Sequence, residues 1–486
     1  MRALLINPFS IVHLTRHVDL TPREPLSLEY ITTMIGNHEV EIFDCRGSFP
    51  NKFEFVPNDM VHIGASLEQI HSSILDYKPE LVGVTSLFDI QINAVYSIFD
   101  LVKSIDKNIT TVIGGNTASC YPEETLAQNK NIDIAVVGEG EITFKELLDN
   151  NAKNLKDVNG IVYRNNGNIA RNKPRELIKD LDTIPFPRRD LLKIENYMNV
   201  TSASMWARGL LALKSRGIKH VLKAALHIRA KTQAQRKGRE AKLLTSRGCP
   251  YTCYFCAVKN VWGCSYRMRS AENVLEEMQL LYDKYDVRHF GIVDDNFNVS
   301  KKRTIEICKG IVEHGLDVSL RADSGTYLNS IDEEVLTWMK KAGFNELYFA
   351  IESGNSEVVK RVIKKNVDLQ QAKDVARICR KLGILSGGFF IIGVPGETKE
   401  TMKETVQFAI DSGLDRIRLY TCQPYRGSQL YEDAKKKGWI AADFDPSKSL
   451  IFESNSYFET EDFSPEDVYH IAEEGKRILR QQKRLD

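Results

Sequence analysis

Several features of common protein classes are missing from this sequence of 486 residues. No run approaches the roughly 18–20 uninterrupted apolar residues of a membrane span. The start, residues 1–7, is a short apolar run before Pro8 and lacks the basic region and cleavage site of a secretory signal. Lys and Arg number 66 against 65 Asp and Glu, so the net charge of +1 indicates no strongly charged partner. These absences favour a cytoplasmic protein.

The length and the cysteines narrow the class further. A chain this long can form two or three domains, each with its own core. Its nine cysteines are an odd number, and three of them lie within eight positions. In a reducing compartment such a group is typical of metal binding or catalysis rather than of a disulfide framework.

Residues 1–150 alternate short apolar runs with helical patterns, which predicts a doubly wound parallel α/β sheet of the Rossmann type. The predicted strands are residues 2–7, 40–44, 81–85, 110–113 and 134–137, and predicted helices include residues 26–35 and 90–105. Such sheets bind ligands beyond the carboxyl ends of their strands. Glycine at these ends allows close approach of the backbone to a ligand, and small polar groups offer hydrogen bonds. The strand ends carry Asn7, Gly114, Gly115, Gly138, Glu139 and Gly140.

Residues 151–240 are interpreted as a connector, with one further strand near residues 160–164. Within it, residues 208–239 contain ten Lys or Arg and no Asp or Glu, with apolar residues at helical spacing. This basic amphipathic pattern is typical of a solvated surface helix. Contact with an anionic membrane surface, or with an anionic substrate or nucleic acid, are the alternatives.

Residues 241–434 repeat a strand–helix pattern six times, which predicts a partial (β/α)6 barrel of the TIM type that lacks two of the usual eight units. The predicted strands are residues 243–246, 289–293, 318–321, 347–351, 388–392 and 416–420. Residues 435–486 form a short polar tail with a predicted helix near residues 465–482.

The strongest chemical signal is the motif Cys-x3-Cys-x2-Cys, formed by Cys249, Cys253 and Cys256. Thiolates are soft ligands for iron, and closely spaced cysteines in a loop can surround one corner of a [4Fe–4S] cluster. Three cysteines leave the fourth iron without a protein ligand. A cluster that binds its substrate requires such an open iron. Structural zinc is the alternative, but it prefers four protein ligands, and Cys264 is the only spare cysteine nearby.

This motif in the first βα loop of a six-unit barrel resembles the radical S-adenosylmethionine (SAM) superfamily. The resemblance implies that the methionine amino and carboxylate groups of SAM chelate the open iron. One electron then breaks a sulfonium carbon–sulfur bond, and the resulting 5′-deoxyadenosyl radical abstracts hydrogen from a substrate.

The resemblance also implies roles for residues at later strand ends. Tyr254 and Phe255 match an aromatic position beside the adenine. Asp294 and Asp295 match polar groups near the methionine amine, although paired aspartates could equally cap the next helix. The remaining matches are Arg321 for the methionine carboxylate, Glu352 and Ser353 for the ribose and methionine, and Gly393 beneath the adenine.

The first 150 residues resemble the cobalamin-binding domain found upstream in one branch of this superfamily. The resemblance assigns the strand-end residues of that domain to cobalamin. The Asp-x-His-x-x-Gly element that supplies histidine to cobalt in many cobalamin enzymes is missing. We therefore expect cobalt without that ligand, which would favour methyl transfer. A degenerate domain without cofactor is the alternative.

Together the resemblances imply a cobalamin-dependent methyltransferase acting on an unactivated carbon. A non-methylating oxidative cyclase is the first alternative, and a tRNA methylthiotransferase is less favoured because no further cluster cysteines or RNA-binding barrel are visible. The expected partners are a small-molecule or lipid-like substrate and an external electron donor such as flavodoxin or ferredoxin, with nucleic acid disfavoured. The basic segment adds peripheral contact with the inner membrane face as an alternative to a purely cytoplasmic location.

Overall fold

The computed structural model describes residues 1–13, 22–50, 52–198, 239–322, 324–448 and 454–485. They form two compact units. The first comprises Met1–Lys179 and Thr183–Ala241, and the second comprises Asp180–Asp182 and Lys242–Asp486. The predicted basic segment at residues 208–239 falls outside the described residues except at its last position.

A seven-stranded sheet forms the centre of the first unit. The strands of this unit are β1 (Arg2–Asn7), β2 (Ser10–His13), β3 (Glu39–Asp44), β4 (Phe53–Val56), β5 (Met60–Ile63), β6 (Leu81–Thr85), β7 (Thr110–Gly114), β8 (Ile134–Val136), β9 (Ile161–Asn165) and β10 (Asn168–Arg171). The main sheet has the order β10-β9-β8-β7-β6-β1-β3. In this sheet β3, β1, β6, β7 and β8 are parallel, and β9 and β10 are antiparallel to their neighbours.

Helices cover both faces of this sheet, so the predicted doubly wound Rossmann-like fold is confirmed. The helices are Leu26–Ile31, Leu67–Tyr77, Ile92–Ile105, Asn116–Cys120, Pro122–Gln128, Glu141–Asp149 and Glu195–Met198. On one face, Ile98 and Phe99 of the Ile92–Ile105 helix pack into a core with alternate strand residues. On the other face, Phe144 and Leu147 do the same. Because β6 is buried throughout, its sequence is a continuous apolar run.

Two features of the first unit differ from the sequence-based expectation. Strand β9 matches the further strand expected near residues 160–164, but β9 and β10 extend the main sheet, although residues beyond 150 were expected to form a connector. A separate three-stranded sheet has the order β2-β5-β4 and was not predicted. Its strands have four residues each and are partly exposed, so they lack the buried apolar runs that identify the main strands.

The second unit contains a six-stranded sheet whose strands follow one another in sequence order, which confirms the predicted partial barrel. The strands are β11 (Arg239–Leu243), β12 (Ser246–Arg247), β13 (Arg267–Met268), β14 (Val287–Ile292), β15 (Ser319–Ala322), β16 (Phe344–Glu352), β17 (Leu385–Ile392) and β18 (Arg416–Thr421). The main sheet has the order β11-β14-β15-β16-β17-β18, and β12 and β13 form a short antiparallel pair. Strands β14 to β18 are parallel, so their carboxyl ends lie along one edge.

Helices alternate with the strands of the barrel. They are Lys259–Trp262, Ala271–Tyr285, Lys301–Glu313, Glu333–Lys341, Leu369–Leu382, Lys399–Asp411 and Gln429–Lys437, with a π-helix at Val358–Val362. Side-chain caps begin most of them, because a hydroxyl or carboxylate accepts an otherwise unpaired backbone N–H. The capping residues are Ser270, Ser300, Asp332, Asp368, Thr398 and Ser428.

The predicted tail helix, Pro465–Gln481, packs on the barrel. A Cβ atom at Gly475 would lie 2.9 Å from Val406 and 3.1 Å from Leu419, so the missing side chain allows close contact. Ala472 and Leu479 of this helix are fully buried. The tail is therefore part of the second unit.

Candidate active site

The three cysteines lie on one loop after β12, and all three side chains are partly buried. Burial raises the pKa of Cys253 to about 12 and that of Cys256 to about 11, and the thiols also act on each other electrostatically. A metal that binds these sulfurs as thiolates would therefore have to displace their protons. Among the described residues, no group of three or more His, Cys, Asp or Glu side chains is arranged to hold a single metal ion.

Tyr254 ties the cysteine loop to two other segments. Its N–H donates to the carbonyl of Ile363 at 3.1 Å, and its own carbonyl accepts from the N–H of Leu430 at 3.0 Å. Its hydroxyl donates to Oδ2 of Asp433 at 2.8 Å. The segment after the Val358–Val362 π-helix and the Gln429–Lys437 helix thus hold the cysteine loop through these bonds. Phe255 is partly buried beside it, and the predicted adenine contacts of both aromatic residues remain predictions.

Asp294 anchors the chain that leads into this loop. Its carboxylate accepts from the N–H and Oγ1 of Thr245, both at 2.6 Å, and from Oγ of Ser246. Burial raises its pKa, and the charge of Arg303 opposes that rise. The alternative that this aspartate caps the next helix is wrong, because Ser300 caps it.

The two residues after Asp294 face the cysteines. Burial, followed by the charge of Asp294, raises the pKa of Asp295 to about 6. Asp295 in turn contributes to the raised pKa of Cys249 and Cys256, after the larger effect of burial. Nδ2 of Asn296 lies 2.9 Å from Sγ of Cys249. Asn296 was not among the predicted site residues, although its position directly after the paired aspartates was a signal.

Glu352 ends β16 with a backbone φ of +73°, a conformation that is unfavourable for a residue with a side chain. Its Oε1 accepts from Nζ of Lys365 at 2.7 Å, and the same ammonium donates to the carbonyl of Ala350 at 2.6 Å. Lys365 is buried, and its charge opposes the burial-driven rise in the pKa of Cys253. This pair was not predictable from local sequence, because Lys365 lies in a polar run typical of a surface loop.

The other predicted SAM-binding residues differ in burial and in the contacts that they make. The hydroxyl of Ser353 is buried and lies 2.8 Å from Oγ1 of Thr405, so it joins the end of β16 to the Lys399–Asp411 helix. Gly393 has a φ of +78°, and a Cβ atom there would lie 2.8 Å from Val468, so folding by itself requires glycine. Arg321 is exposed on β15. Their contacts with SAM remain predictions.

In the first unit, the parallel strands bring predicted residues to one edge of the sheet. Asn7 and Asp44 are paired in register, and Nδ2 of Asn7 donates to Oδ1 of Asp44 at 2.9 Å. The hydroxyl of Tyr197 donates to Oδ2 of Asp44 at 2.7 Å. Asp44 was missed from the sequence, because a single aspartate after a strand is a weak signal.

The glycines at the same edge differ in their surroundings. A Cβ atom at Gly114 would meet nothing within 4 Å, whereas one at Gly115 would lie 2.5 Å from the carbonyl oxygen of Ser86. Gly115 also has a φ of +96°. The pair thus combines a tight turn at Gly115 with free space next to the backbone of Gly114.

The Gly138-Glu139-Gly140 segment lies at the end of β8. The N–H of Gly138 donates to Oγ of Ser119 at 3.0 Å. Oε2 of the buried Glu139 accepts from the N–H of Ile178 at 2.8 Å, so this carboxylate holds the chain together locally. Gly140 precedes the Glu141–Asp149 helix, and a Cβ atom there would lie 3.2 Å from Ile31.

Comparison with known proteins defines the class. The radical SAM superfamily model matches residues 243–409, and the B12 binding domain model matches residues 20–148. The chain is 31% identical over 437 residues to an uncharacterized methyltransferase of Pyrococcus horikoshii, a match that covers 89% of this chain and 83% of that protein. The chain therefore belongs to the radical SAM superfamily, in the group that also carries a B12 binding domain. A [4Fe–4S] cluster, SAM and cobalamin are its cofactors.

Further relatives and a solved structure agree with this placement. The cytidylyl-2-hydroxyethylphosphonate methyltransferase of Streptomyces wedmorensis is 29% identical, over 92% of this chain and 84% of that protein. The anaerobic magnesium-protoporphyrin IX monomethyl ester cyclase of Rubrivivax gelatinosus is 25% identical, over 76% of this chain and 61% of that protein. The radical SAM methyltransferase TsrM of Kitasatospora setae shares the fold, with a TM-score of 0.68 and 19% identity over 100% of this chain and 90% of that chain.

Proposed function

We propose that this protein is a cobalamin-dependent radical SAM enzyme that methylates an unactivated carbon of a small-molecule substrate. The observation that carries the proposal is the presence of two sites in one chain. One is the three-cysteine loop at the carboxyl end of the barrel strands, and the other is the carboxyl edge of the first sheet, where a Cβ atom at Gly114 would meet nothing within 4 Å. When bound, the cluster and SAM supply hydrogen abstraction, and cobalamin supplies a methyl group.

Residues of the second unit would hold and orient the first pair of cofactors. Cys249, Cys253 and Cys256 would bind three irons as thiolates and leave the fourth iron to SAM. Oε1 of Glu352 is held by Lys365, and we propose that its Oε2 accepts from the ammonium of the methionine moiety. Asp295, partly buried beside the cysteines, would contact the same moiety.

Residues of the first unit would hold cobalamin at the carboxyl edge of the sheet. Asn7, locked by its hydrogen bond to Asp44, presents a fixed polar group there. The small residues Gly114 and Gly138 leave room for the corrin ring beside the backbone. No Asp-x-His-x-x-Gly histidine is present to bind cobalt.

A non-methylating cyclase is the second candidate, because the cyclase of Rubrivivax gelatinosus matches 76% of this chain. Anaerobic reconstitution with iron, sulfide and a corrinoid, followed by reaction with dithionite and SAM, separates the two. We expect 5′-deoxyadenosine together with S-adenosylhomocysteine, and a corrinoid that stays bound through desalting. Deoxyadenosine without S-adenosylhomocysteine or bound corrinoid would contradict methyl transfer and favour the cyclase.

A matched pair of variants tests the cluster assignment in the same assay. Cys253→Ala should abolish deoxyadenosine formation, because it removes one of three cluster ligands. Cys264→Ala is the control, since this exposed cysteine lies outside the motif, and its yield should equal that of the wild type. Equal loss in both variants would contradict the three-cysteine assignment.

Peripheral membrane contact by residues 208–239 remains a prediction. No helix among the described residues is long and apolar enough to cross a membrane. Deleting the segment should weaken association with anionic liposomes while leaving iron content unchanged. Unchanged liposome binding would contradict the membrane alternative.

A further inference from the structure

Charged residues lie around the buried side chain of Tyr254 in the cysteine loop. Nζ of Lys364 lies 5.2 Å from the centroid of the Tyr254 ring. Hydrogen bonds from Gln429 and Tyr254, followed by the charges of Lys437 and Lys364, lower the pKa of Asp433. These groups therefore share one small surface, which we call the Tyr254 face.

Two chain segments meet at the Tyr254 face, because Ile363 and Leu430 both bond to the backbone of Tyr254. Residues 357–364 and 429–437 together carry three acidic residues against six basic ones, a local net charge of +3 in a chain whose total is +1. All six basic residues are exposed: Lys360, Arg361, Lys364, Lys435, Lys436 and Lys437.

One of the acidic residues is already neutralised within the surface. Oε2 of Glu357 pairs with Nε of Arg361 at 2.6 Å. The described part of the chain offers Lys360 and Lys436 no carboxylate as an ion-pair partner, and both residues are exposed on short helical segments. A positive field over a redox loop attracts negatively charged partners and raises their association rate.

We propose that the Tyr254 face docks an acidic, low-potential, one-electron carrier protein of the flavodoxin or ferredoxin class. The inference rests on the cluster assignment of the proposed function but not on methyl transfer. In the transfer, the carrier is oxidised by one electron and the cluster is reduced by one, and no covalent bond forms or breaks. Tyr254 directly follows Cys253 and lies two residues before Cys256, so a carrier docked at the charged residues around Tyr254 would be close to the proposed cluster ligands.

The test uses the holoenzyme and two reductants. The double variant Lys360→Glu, Lys436→Glu reverses two charges at positions that lie outside the cysteine loop. Its cluster reduction is followed by the loss of visible absorbance, without SAM, using either reduced flavodoxin or dithionite. We expect about a tenfold slower reduction by flavodoxin at low salt and an unchanged rate with dithionite. High salt should remove the difference, because the Debye length falls from about 10 Å at 0.1 M to about 3 Å at 1 M.

A control variant, Lys284→Glu, Lys341→Glu, makes the same charge change at exposed residues near the carboxyl ends of two barrel helices. It should keep the wild-type rate with both reductants. An unchanged flavodoxin rate in the first variant, or an equal loss in the control, would overturn the proposal. Failure to assemble a reducible cluster in the wild type would instead contradict the cluster assignment, so the two failures are distinguishable.

Discussion

The side-chain amide of Asn296 donates toward the sulfur of Cys249, with 2.9 Å between Nδ2 and Sγ. A thiolate has no proton to donate and can only accept a hydrogen bond. The side-chain amide of Asn296 therefore interacts favourably with it only when the amide nitrogen, and not the oxygen, faces the sulfur. Hydrogen bonds to cluster sulfurs are one of the factors that set the reduction potential of an iron–sulfur cluster. Asn296 is therefore placed to tune the potential of the cluster that Cys249 is proposed to bind.

Replacing this residue, in Asn296→Ala, should lower the cluster potential, because the thiolate loses a donor that stabilises the added electron. We expect about a tenfold change in the ratio of reduced to oxidised cluster, or roughly 60 mV for a one-electron couple. A redox titration followed by electron paramagnetic resonance measures it. Asn298→Ala is the control, since the amide of Asn298 donates to the carbonyl of Tyr327 at 2.9 Å. An equal shift in both variants would contradict a direct role.

Asp294 should support both folding and cluster assembly. Asp294→Asn removes the charge opposite Arg303 and an acceptor shared by Thr245 and Ser246. Loss of one partner in a buried charged network costs about 3 kcal/mol. Denaturant unfolding should show that loss, and iron analysis after reconstitution should show reduced loading.

The control for Asp294→Asn is a substitution at an exposed residue that caps the start of a helix. Asp368 accepts from the N–H of Gln370 at 2.8 Å at the start of the Leu369–Leu382 helix. Asp368→Ala should cost about 1 kcal/mol and leave iron content unchanged. Normal iron loading in Asp294→Asn would show that this carboxylate does not position the cysteine loop.

Substitutions at two neighbouring glycines at the edge of the first sheet should affect folding and cobalamin binding separately. Gly114→Val adds atoms where a Cβ meets nothing within 4 Å, so the fold should tolerate it while the corrin ring should not. Gly115→Ala places a Cβ 2.5 Å from the Ser86 carbonyl at a φ of +96°, so it should lower the unfolding temperature. Corrinoid retained per protein after desalting, measured with thermal unfolding, checks both. If Gly114→Val retained as much corrinoid as the wild type, cobalamin would not bind beside Gly114.

Glu397 should make stability depend on pH. Burial raises its pKa from 4.5 to about 8, against the effect of backbone hydrogen bonds such as that from Val394. The folded protein thus keeps a proton that the unfolded chain releases above its ordinary pKa. The stability that this group contributes is complete below about pH 4.5 and is lost as the pH rises through 8.

Glu397→Gln should remove this dependence, because an amide does not titrate. The wild type should lose up to roughly 4 kcal/mol relative to the variant between pH 5 and 8, at about 1.4 kcal/mol per pKa unit. Urea unfolding across that range measures the slopes. The control Glu400→Gln, at an exposed carboxylate of the next helix, should keep the wild-type slope. Parallel slopes for the wild type and Glu397→Gln would contradict the raised pKa.

Much of the fold was predictable because its main elements have strong local patterns. Strands β1 and β6 match the predicted residues at both ends, since each is a continuous apolar run between turn residues. The barrel helices begin at capping residues such as Ser300 and Thr398, which are readable in sequence. The sheet β2-β5-β4 was not predictable in this way, because its short strands are stabilised by pairing rather than by burial of an apolar run.

In the candidate site too, the features with a local sequence pattern were predictable, and the contacts between distant residues were not. The motif of Cys249, Cys253 and Cys256 can be identified from spacing alone, because the proposed ligands lie within a few residues of one another and chelation would depend on that local geometry. The bond between Asn296 and Cys249 joins residues 47 positions apart. The Glu352–Lys365 pair buries a lysine that its polar neighbours would place at the surface. Such contacts depend on strand order, register and burial, which set side-chain partners only when the whole sheet has assembled.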